Sequence, residues 1–443
     1  MIRLTLSLIL VVWGVVARAE VDIQEITTPG GIEAWVVEER SIPFVALEIL
    51  MEGGGSLDRE GKRGAVNLMM ALLEEGSGDM DARAFQEARE GLAASFGFDA
   101  YDDSVSISAK FLTENRDEAV ALLRQAIVDP SFDADAVERV RAQVLSGLAS
   151  DAKNPNQLAT DAFYAAAFPG HPYGSDMSGT VESVSALTTE DLFDAHRDTV
   201  NRARLHVSVV GDISADEAGV MIDTLLGELP AEAPPLPSDV AFGLPGGVTV
   251  VDFATPQSVA LFGHEGMKRD DPDFFAAYVM NHILGAGGFE SRLMTEVREK
   301  RGLTYGVATY LVPRDHAEMV LGRVASANDR IREAIAVIRS EWARIATEGV
   351  TPEELDAAKT YLTGEYPLRF DGNGPIADIM VGMQQVGLSP DYVLNRNDFI
   401  EAVTLEDVNR VAAYLLRPDA LHFTVVGQPE GLESGPLPAL VAN

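Results

Sequence analysis

One unit is written twice along this chain, and that repeat limits the folds open to it more than any other feature. Leu205-His206-Val207-Ser208-Val209-Val210-Gly211 recurs as Leu421-His422-Phe423-Thr424-Val425-Val426-Gly427, 216 residues later. Just before each copy, Thr188 with Glu190-Asp191 matches Thr404 with Glu406-Asp407 at the same offset. Near the start of each half, Pro43 and Val45-Ala46-Leu47 answer Pro256 and Val259-Ala260-Leu261, 213 to 214 residues on. Three matches in one order at nearly one period define two homologous halves. The 443 residues are also too many for one core of ordinary size.

Between the copies, Pro230 to Gly247 holds Pro234-Pro235, Pro237, Pro245 and Gly246-Gly247, the composition of a locally stiff linker. The expected organisation is therefore residues 22–230, a linker at 231–246, and residues 247–430. Ala34–Val37, Val45–Met51 and Ser104–Phe111 read as strands. Gly64–Glu75 reads as a buried helix, and helices follow near 81–93, 114–128 and 133–150, the one at 114–128 with Ala119, Leu122, Leu123, Ala126 and Ile127 on one face. Thr188 and Thr404, each with an acidic residue three positions on, and Thr351-Pro352-Glu353-Glu354 are helix starts of the capping-box kind. Grouped strands followed by grouped helices indicate an α+β fold: two homologous halves, each an antiparallel-rich sheet covered by helices on one face.

Composition narrows the setting. Arg3, the apolar run Leu4–Val16 and Ala17-Arg18-Ala19 make residues 1–19 a secretory signal, expected to be cut before Glu20, which places the mature chain in the periplasm. No later stretch is apolar enough to span a bilayer, so no membrane association is expected after cleavage. Cysteine is absent, so disulfides, thiolate chemistry and Cys-bound metal are excluded. Without Arg3 and Arg18, 32 basic residues face 69 acidic ones, a net charge of −37. Such a field repels nucleic acid and anionic membranes, and a solvated acidic surface is enough to account for it.

Gly53-Gly54-Gly55, then Asp58-Arg59-Glu60-Gly61-Lys62-Arg63-Gly64, then a helix ending at Glu75-Gly76-Ser77, resembles the insulinase/pitrilysin family of zinc peptidases. In catalytic members of that family this helix carries H-x-x-E-H, two zinc-binding His one turn apart with a Glu as general base. Laid on this chain, the motif falls on Asn67, Met70 and Ala71, and the family's third ligand falls on Gly147 or Leu148. Ala71 has no ligand atom, Met70 cannot accept a proton, and Asn67 alone is a poor zinc donor, so no metal or other cofactor is expected in this chain. Of the seven His, no two stand at i, i+4; His264-Glu265 with His282 is the one remaining grouping that folding could assemble.

The most specific stretch lies in the second half: Leu284-Gly285-Ala286-Gly287-Gly288-Phe289-Glu290-Ser291-Arg292, then Val297-Arg298-Glu299-Lys300-Arg301-Gly302-Leu303-Thr304-Tyr305-Gly306. The glycines lack the G-x-G-x-x-G spacing of a dinucleotide site. From the residues alone, a glycine loop opens a helix near Ser291, Gly302 ends it, and Tyr305 lies on the strand beyond. Arg298 at the helix C-terminus and Tyr305 packed on the sheet would then be enough. The stretch is also similar to the Arg/Tyr motif of the same family, an Arg with a Tyr seven residues later.

The resemblance implies that Arg298 and Tyr305 reach a zinc site in an opposing subunit, Arg298 positioning the peptide and Tyr305 donating to the developing oxyanion. It also implies that Gly287, Gly288 and Phe289 border the substrate. Short bacterial members of the family pair an H-x-x-E-H chain with an Arg/Tyr chain, and this sequence resembles the second kind. The expected role is thus a non-catalytic subunit of a heterodimeric periplasmic zinc peptidase acting on peptides, with zinc in the H-x-x-E-H-bearing partner. The other reading is an exported binding or scaffold protein of the same fold.

Overall fold

A computed structural model describes residues 22–437; the segment 1–19, expected to be a secretory signal, lies outside them. The first half builds a six-stranded sheet in the order Gln24–Thr27, Glu33–Glu38, Leu205–Gly211, Phe44–Glu52, Ser104–Leu112, Ser95–Ala100. The second half repeats it with five strands, from Gly247–Asp252 through His422–Gly427, Gln257–Glu265 and Glu318–Ala327 to Val307–Pro313. Every neighbouring pair is antiparallel except the pairing of each repeated final strand with Glu33–Glu38 or Gly247–Asp252.

The repeated strands occupy the same place in both sheets, but their register corrects the residue matching. Leu47 pairs with Val209, and Ala260 with Val425, the repeat of Val209. The offset along this strand is therefore 213, as the prolines have it. The two Val-Ala-Leu triplets are out of step by one residue, which in a strand means opposite faces. Accordingly Leu47 enters its own half's core, whereas Leu261 enters the cluster on the far side of its sheet.

Helices follow the apolar pattern. Ala65–Leu72, Arg116–Val128, Thr189–Thr199 and Ala215–Leu226 bury Leu68, Leu123, Leu192 and Ile222 against one face of the first sheet. Phe274–Asn281, Ile331–Glu348, Pro352–Glu365 and Leu405–Leu415 do the same with Val279, Ile335, Leu355 and Val411 in the second. Complete capping boxes open the helices after Thr188, Thr351 and Thr404.

The second face of each sheet is closed by a helix from the other half. Pro155–Ala167 lays Ala159, Phe163 and Ala167 against Leu261, Leu321 and Val426. Reciprocally, Asn373–Gln385 lays Ile376, Ala377, Met380 and Met383 against Trp35, Val37, Ala46 and Val210. Residues 231–246 form no helix or strand and run along this junction, with Val240 and Phe242 against the first of these clusters. A polar contact ties the junction: Arg314 pairs with Asp102 at 2.8 Å and lies over the Tyr173 ring, whose hydroxyl donates to Asp103 at 2.6 Å.

Candidate functional site

The helix where the family holds its metal is complete as a structural element. Asp58 caps it from outside, its two carboxylate oxygens accepting from Gly64 N at 2.8 Å and Val66 N at 2.9 Å. Arg63 donates to the carbonyls of Gly55, Pro172, Ser175 and Asp176 and to Asp102, stitching three loops together. Gly54 and Gly64 have φ of +34° and +97°, and a Cβ on either would strike a backbone oxygen, of Tyr101 or Ser178. The residues that carry the family resemblance here are thus accounted for by loop geometry.

The chemistry is missing. Asn67 and Ala71 share the outer side of the helix, half-buried and exposed, while Met70 is 1% exposed and belongs to the core. The neighbouring helix Ala134–Asp151 brings up Gly147 and Leu148, neither with a metal donor. The residues present therefore do not fit zinc: an amide, a thioether turned into the core, and two side chains without donors. Among the described residues no group of three or more His, Asp or Glu could hold a metal ion. His264 accepts from the Trp342 indole at 3.0 Å and faces the Glu265 carbonyl at 2.7 Å, while the His282 ring lies tilted against that of Tyr361. Burial pushes His264 down to about 4, which keeps it neutral, as a packed histidine with both nitrogens engaged. His206 and His422 likewise make strand-end contacts, with Glu52 at 2.9 Å and with the Pro245 carbonyl at 2.8 Å.

The Arg/Tyr segment is built differently. The glycine loop is a π-helical turn over His282–Ala286 followed by a single 3₁₀ turn over Gly288–Glu290. Gly287 is needed where a Cβ would press on the His282 carbonyl, and Gly288 has φ of +58°. The chain then becomes helical after Ser291, widening to π geometry over Met294–Glu299. Gly302 closes the helix with φ of +58°, its N–H donating to Arg298 O at 2.7 Å, and the Leu303 N–H donates to Val297 O at 2.9 Å.

Three of the four cations of this helix are used internally. Arg292 grips Glu354 through two contacts of 2.6 Å, while Lys300 and Arg301 both pair with Glu296, at 2.7 and 2.6 Å. Arg298 is the exception. Its guanidinium lies 4.5 Å from the centroid of the Phe289 ring, and among the described residues it makes no hydrogen bond or ion pair.

Tyr305 departs from the sequence expectation. The strand begins at Val307, not at Tyr305, because Thr304 turns the chain first: its hydroxyl donates to Ala325 O at 2.6 Å and takes the Gly306 N–H at 3.0 Å. Arg330 and Ser326 fasten the same turn through the carbonyls of Arg301, Gly302 and Leu303. On this fixed turn the Tyr305 ring is 87% exposed, so it does not pack on the sheet, and Phe289 beside Arg298 is 65% exposed. Exposed aromatics on hydrogen-bonded turns spend apolar surface on solvent unless something else covers it. Sequence reasoning found these residues but missed that Phe289 serves as the platform for Arg298.

An α+β molecule of two repeated halves, with a donor-free metal helix in one and a free Arg and Tyr in the other, defines a class: a peptidase-type fold that lacks its own metal chemistry. Two family models match it, "Insulinase (Peptidase family M16)" over residues 35–181 and "Peptidase M16 inactive domain" over residues 186–362. The chain belongs to the insulinase family and is a non-catalytic member of it. Among curated relatives it is 25% identical to the "Non-peptidase homolog YmxG" of Helicobacter pylori, over 88% of this chain and 90% of that one. It is 26% identical to the "Probable mitochondrial-processing peptidase subunit beta" of Schizosaccharomyces pombe, over 86% of each. Among solved structures, a peptidase M16 inactive domain from Pseudomonas fluorescens superposes with a TM-score of 0.85 at 28% identity, covering 94% of this chain and all of the other. A Helicobacter pylori protease shares the fold, with a TM-score of 0.81 at 15% identity over 91% of this chain and 99% of that one.

Proposed function

We propose that this chain is the non-catalytic subunit of a two-chain periplasmic zinc peptidase, completing in trans a site whose metal and general base belong to an H-x-x-E-H-bearing partner. One observation carries the reading: Arg298 alone among the cations of its helix is left without an acid or carbonyl, on an exposed aromatic platform, beside a rigid turn that offers the Tyr305 hydroxyl to solvent. A scaffold has no use for holding a free guanidinium and a free phenol in place.

In this reading a peptide lies between the two chains. Tyr305 donates its O–H to the scissile carbonyl oxygen as that oxygen gains negative charge. The turn fixed by Thr304, Ser326 and Arg330 means that little reorganisation accompanies the donation. Arg298, its face held on Phe289, directs its N–H groups to peptide carbonyls and so sets the register of the substrate. Preformed donors of this kind act on the transition state more than on the bound peptide. The export signal at residues 1–19 supports the periplasmic setting.

The test is to purify the mature chain alone and together with an H-x-x-E-H-bearing homologue, then to measure zinc content and peptide cleavage. The lone chain should hold no stoichiometric zinc and cleave nothing. The mixture should cleave, and Tyr305→Phe should lower its rate by about 10²–10³-fold with the same melting temperature. Zinc and activity in the lone chain, or an unchanged rate with Tyr305→Phe, would overturn the reading.

A further inference from the structure

Two further arginines without acid partners among the described residues, Arg269 and Arg396, lie away from the Arg/Tyr turn, at a cavity also lined by Ile379 and Met383 of the crossing helix Asn373–Gln385. Arg269, Phe274, Phe275, Tyr278, Tyr366 and Arg396 are among the residues that line a cavity of about 260 Å³ there. Half of its lining residues are aromatic. Arg269 lies 4.2 Å from the Phe274 centroid, Arg396 lies 4.6 Å from that of Tyr366, and Phe275 stacks on Phe399 and Tyr392.

The polar groups of the cavity are unbalanced. Arg396 is only 3% exposed, yet its contacts are neutral: the Leu362 carbonyl at 2.6 Å and the Asn397 side-chain oxygen at 3.1 Å. Arg269 donates only to the Tyr392 hydroxyl, at 3.0 Å. Among the described residues neither has a carboxylate partner, in a chain with 69 acidic residues to draw on. Arg369, the third arginine of the wall, is paired with Glu365 at 2.6 Å. The Tyr366 hydroxyl, on a side chain 8% exposed, is buried with no hydrogen-bond partner.

A buried guanidinium without a counter-charge, next to a buried hydroxyl without a partner, is costly unless an outside group supplies both. Guanidinium forks match carboxylate and phosphate geometry, and the surrounding rings suit a flat apolar body. The volume lies just below the roughly 300–1,000 Å³ of pockets for drug-sized ligands, which suits one ring and one anionic group.

We infer that this cavity is a binding site for a small aromatic anion, its carboxylate or phosphate held by Arg269, Arg396 and the Tyr366 hydroxyl and its ring lying among Phe275, Tyr278 and Tyr392. The inference does not depend on the peptidase reading, since none of these residues belongs to the Arg298–Tyr305 group.

Calorimetric titration of the full mature chain tests it with four probes: N-acetylphenylalanine, phenyl phosphate, the neutral N-acetylphenylalanine amide, and inorganic phosphate. At least one aromatic anion should bind at least tenfold more tightly than the neutral amide and than inorganic phosphate. Preference between N-acetylphenylalanine and phenyl phosphate tells a carboxylate ligand from a phosphate one. R269Q should weaken that binding at least tenfold and Y366F about threefold, with no fall in the thermal melt of either variant. R269Q carries the decision, because Arg396 also holds the end of the Pro352–Glu365 helix and R396Q tests folding as well. No binding by either anion, equal binding of the amide, or full affinity in R269Q would overturn the inference.

Discussion

The helix Ala65–Leu72 of the first half and the Arg298–Tyr305 turn of the second are both held by complete sets of backbone-shaping groups, and they differ in what those groups leave unsatisfied. On the helix Ala65–Leu72, everything that shapes the backbone is in place, including the Asp58 cap, the Arg63 stitches and the glycines at positive φ, while each position that would touch a metal is inert. On the turn, the shaping groups are again in place, but the tip still carries a free guanidinium and a free phenol. Groups with a packing role persist in both regions, so persistence alone says little about function. What separates the regions is whether an unsatisfied polar group remains after the packing is accounted for.

Four variants can break or sharpen that contrast. The largest effect is expected from Met70→Glu, which restores the family's acid at a position 1% exposed and inside the core. An unpaired carboxylate there should cost about 3 kcal/mol or more, read as a fall in the denaturant midpoint. A smaller loss would mean that the helix can still turn this position outward and that the site is not fully closed to chemistry.

The next effect concerns pH, because a fold that weakens with pH would blur any activity comparison. Glu48 sits on the outer face of its strand beneath the crossing helix, and burial, with Asp378 adding repulsion, pushes its carboxyl up to about 8. The unfolded chain therefore releases this proton earlier than the folded one. Stability should fall as pH rises from about 4.5 to about 8 and level off above. Glu48→Gln should remove that slope and be more stable than the parent above pH 8 by about 1–2 kcal/mol, after allowing for partial exposure of the group. Parallel stability curves for parent and variant would refute the assignment.

Phe289→Ala should act on the turn alone. Loss of an exposed cation–π platform is worth about 0.5–1 kcal/mol, so cleavage with the partner chain should slow about three- to fivefold with no change in melting temperature. A drop in the melt instead would make Phe289 a packing residue. The smallest effect is expected from the double change Asn67→His with Ala71→His, at half-buried and exposed positions: stability within about 0.5 kcal/mol of the parent and no cleavage by the lone chain. Cleavage would show that two histidines are enough to revive the helix.

Much of this contrast was legible in the sequence, and the exceptions have physical causes. The duplication, the strands around Val45–Met51 and Ser104–Phe111 and the three capping boxes are local patterns, and the structure repeats them within a residue or two. The one-residue slip of the Val-Ala-Leu match was hidden because both faces of these strands are apolar, so alternation could not choose between them. A flag did exist on the first sheet: Glu48 stands alone in an apolar run, as a position under partial cover would. The sequence pattern sets Tyr305 on a strand, whereas the Thr304 hydroxyl, bonded to a residue 21 positions away, delays the strand to Val307. The exchange of Pro155–Ala167 and Asn373–Gln385 between halves has no local signature, since an amphipathic helix does not state which sheet it covers.

That exchange has a consequence for how the polypeptide comes into being. When synthesis or translocation has delivered the first half, one side of its sheet, with Trp35, Val37, Ala46 and Val210, is still bare, and its cover arrives only with residues 373–385. The helix Pro155–Ala167, in turn, waits for a surface not yet made. Neither half can complete its packing alone, so the molecule should gain its stability in one late step, and until residues 373–385 arrive a protease or holding chaperone would meet that uncovered apolar face.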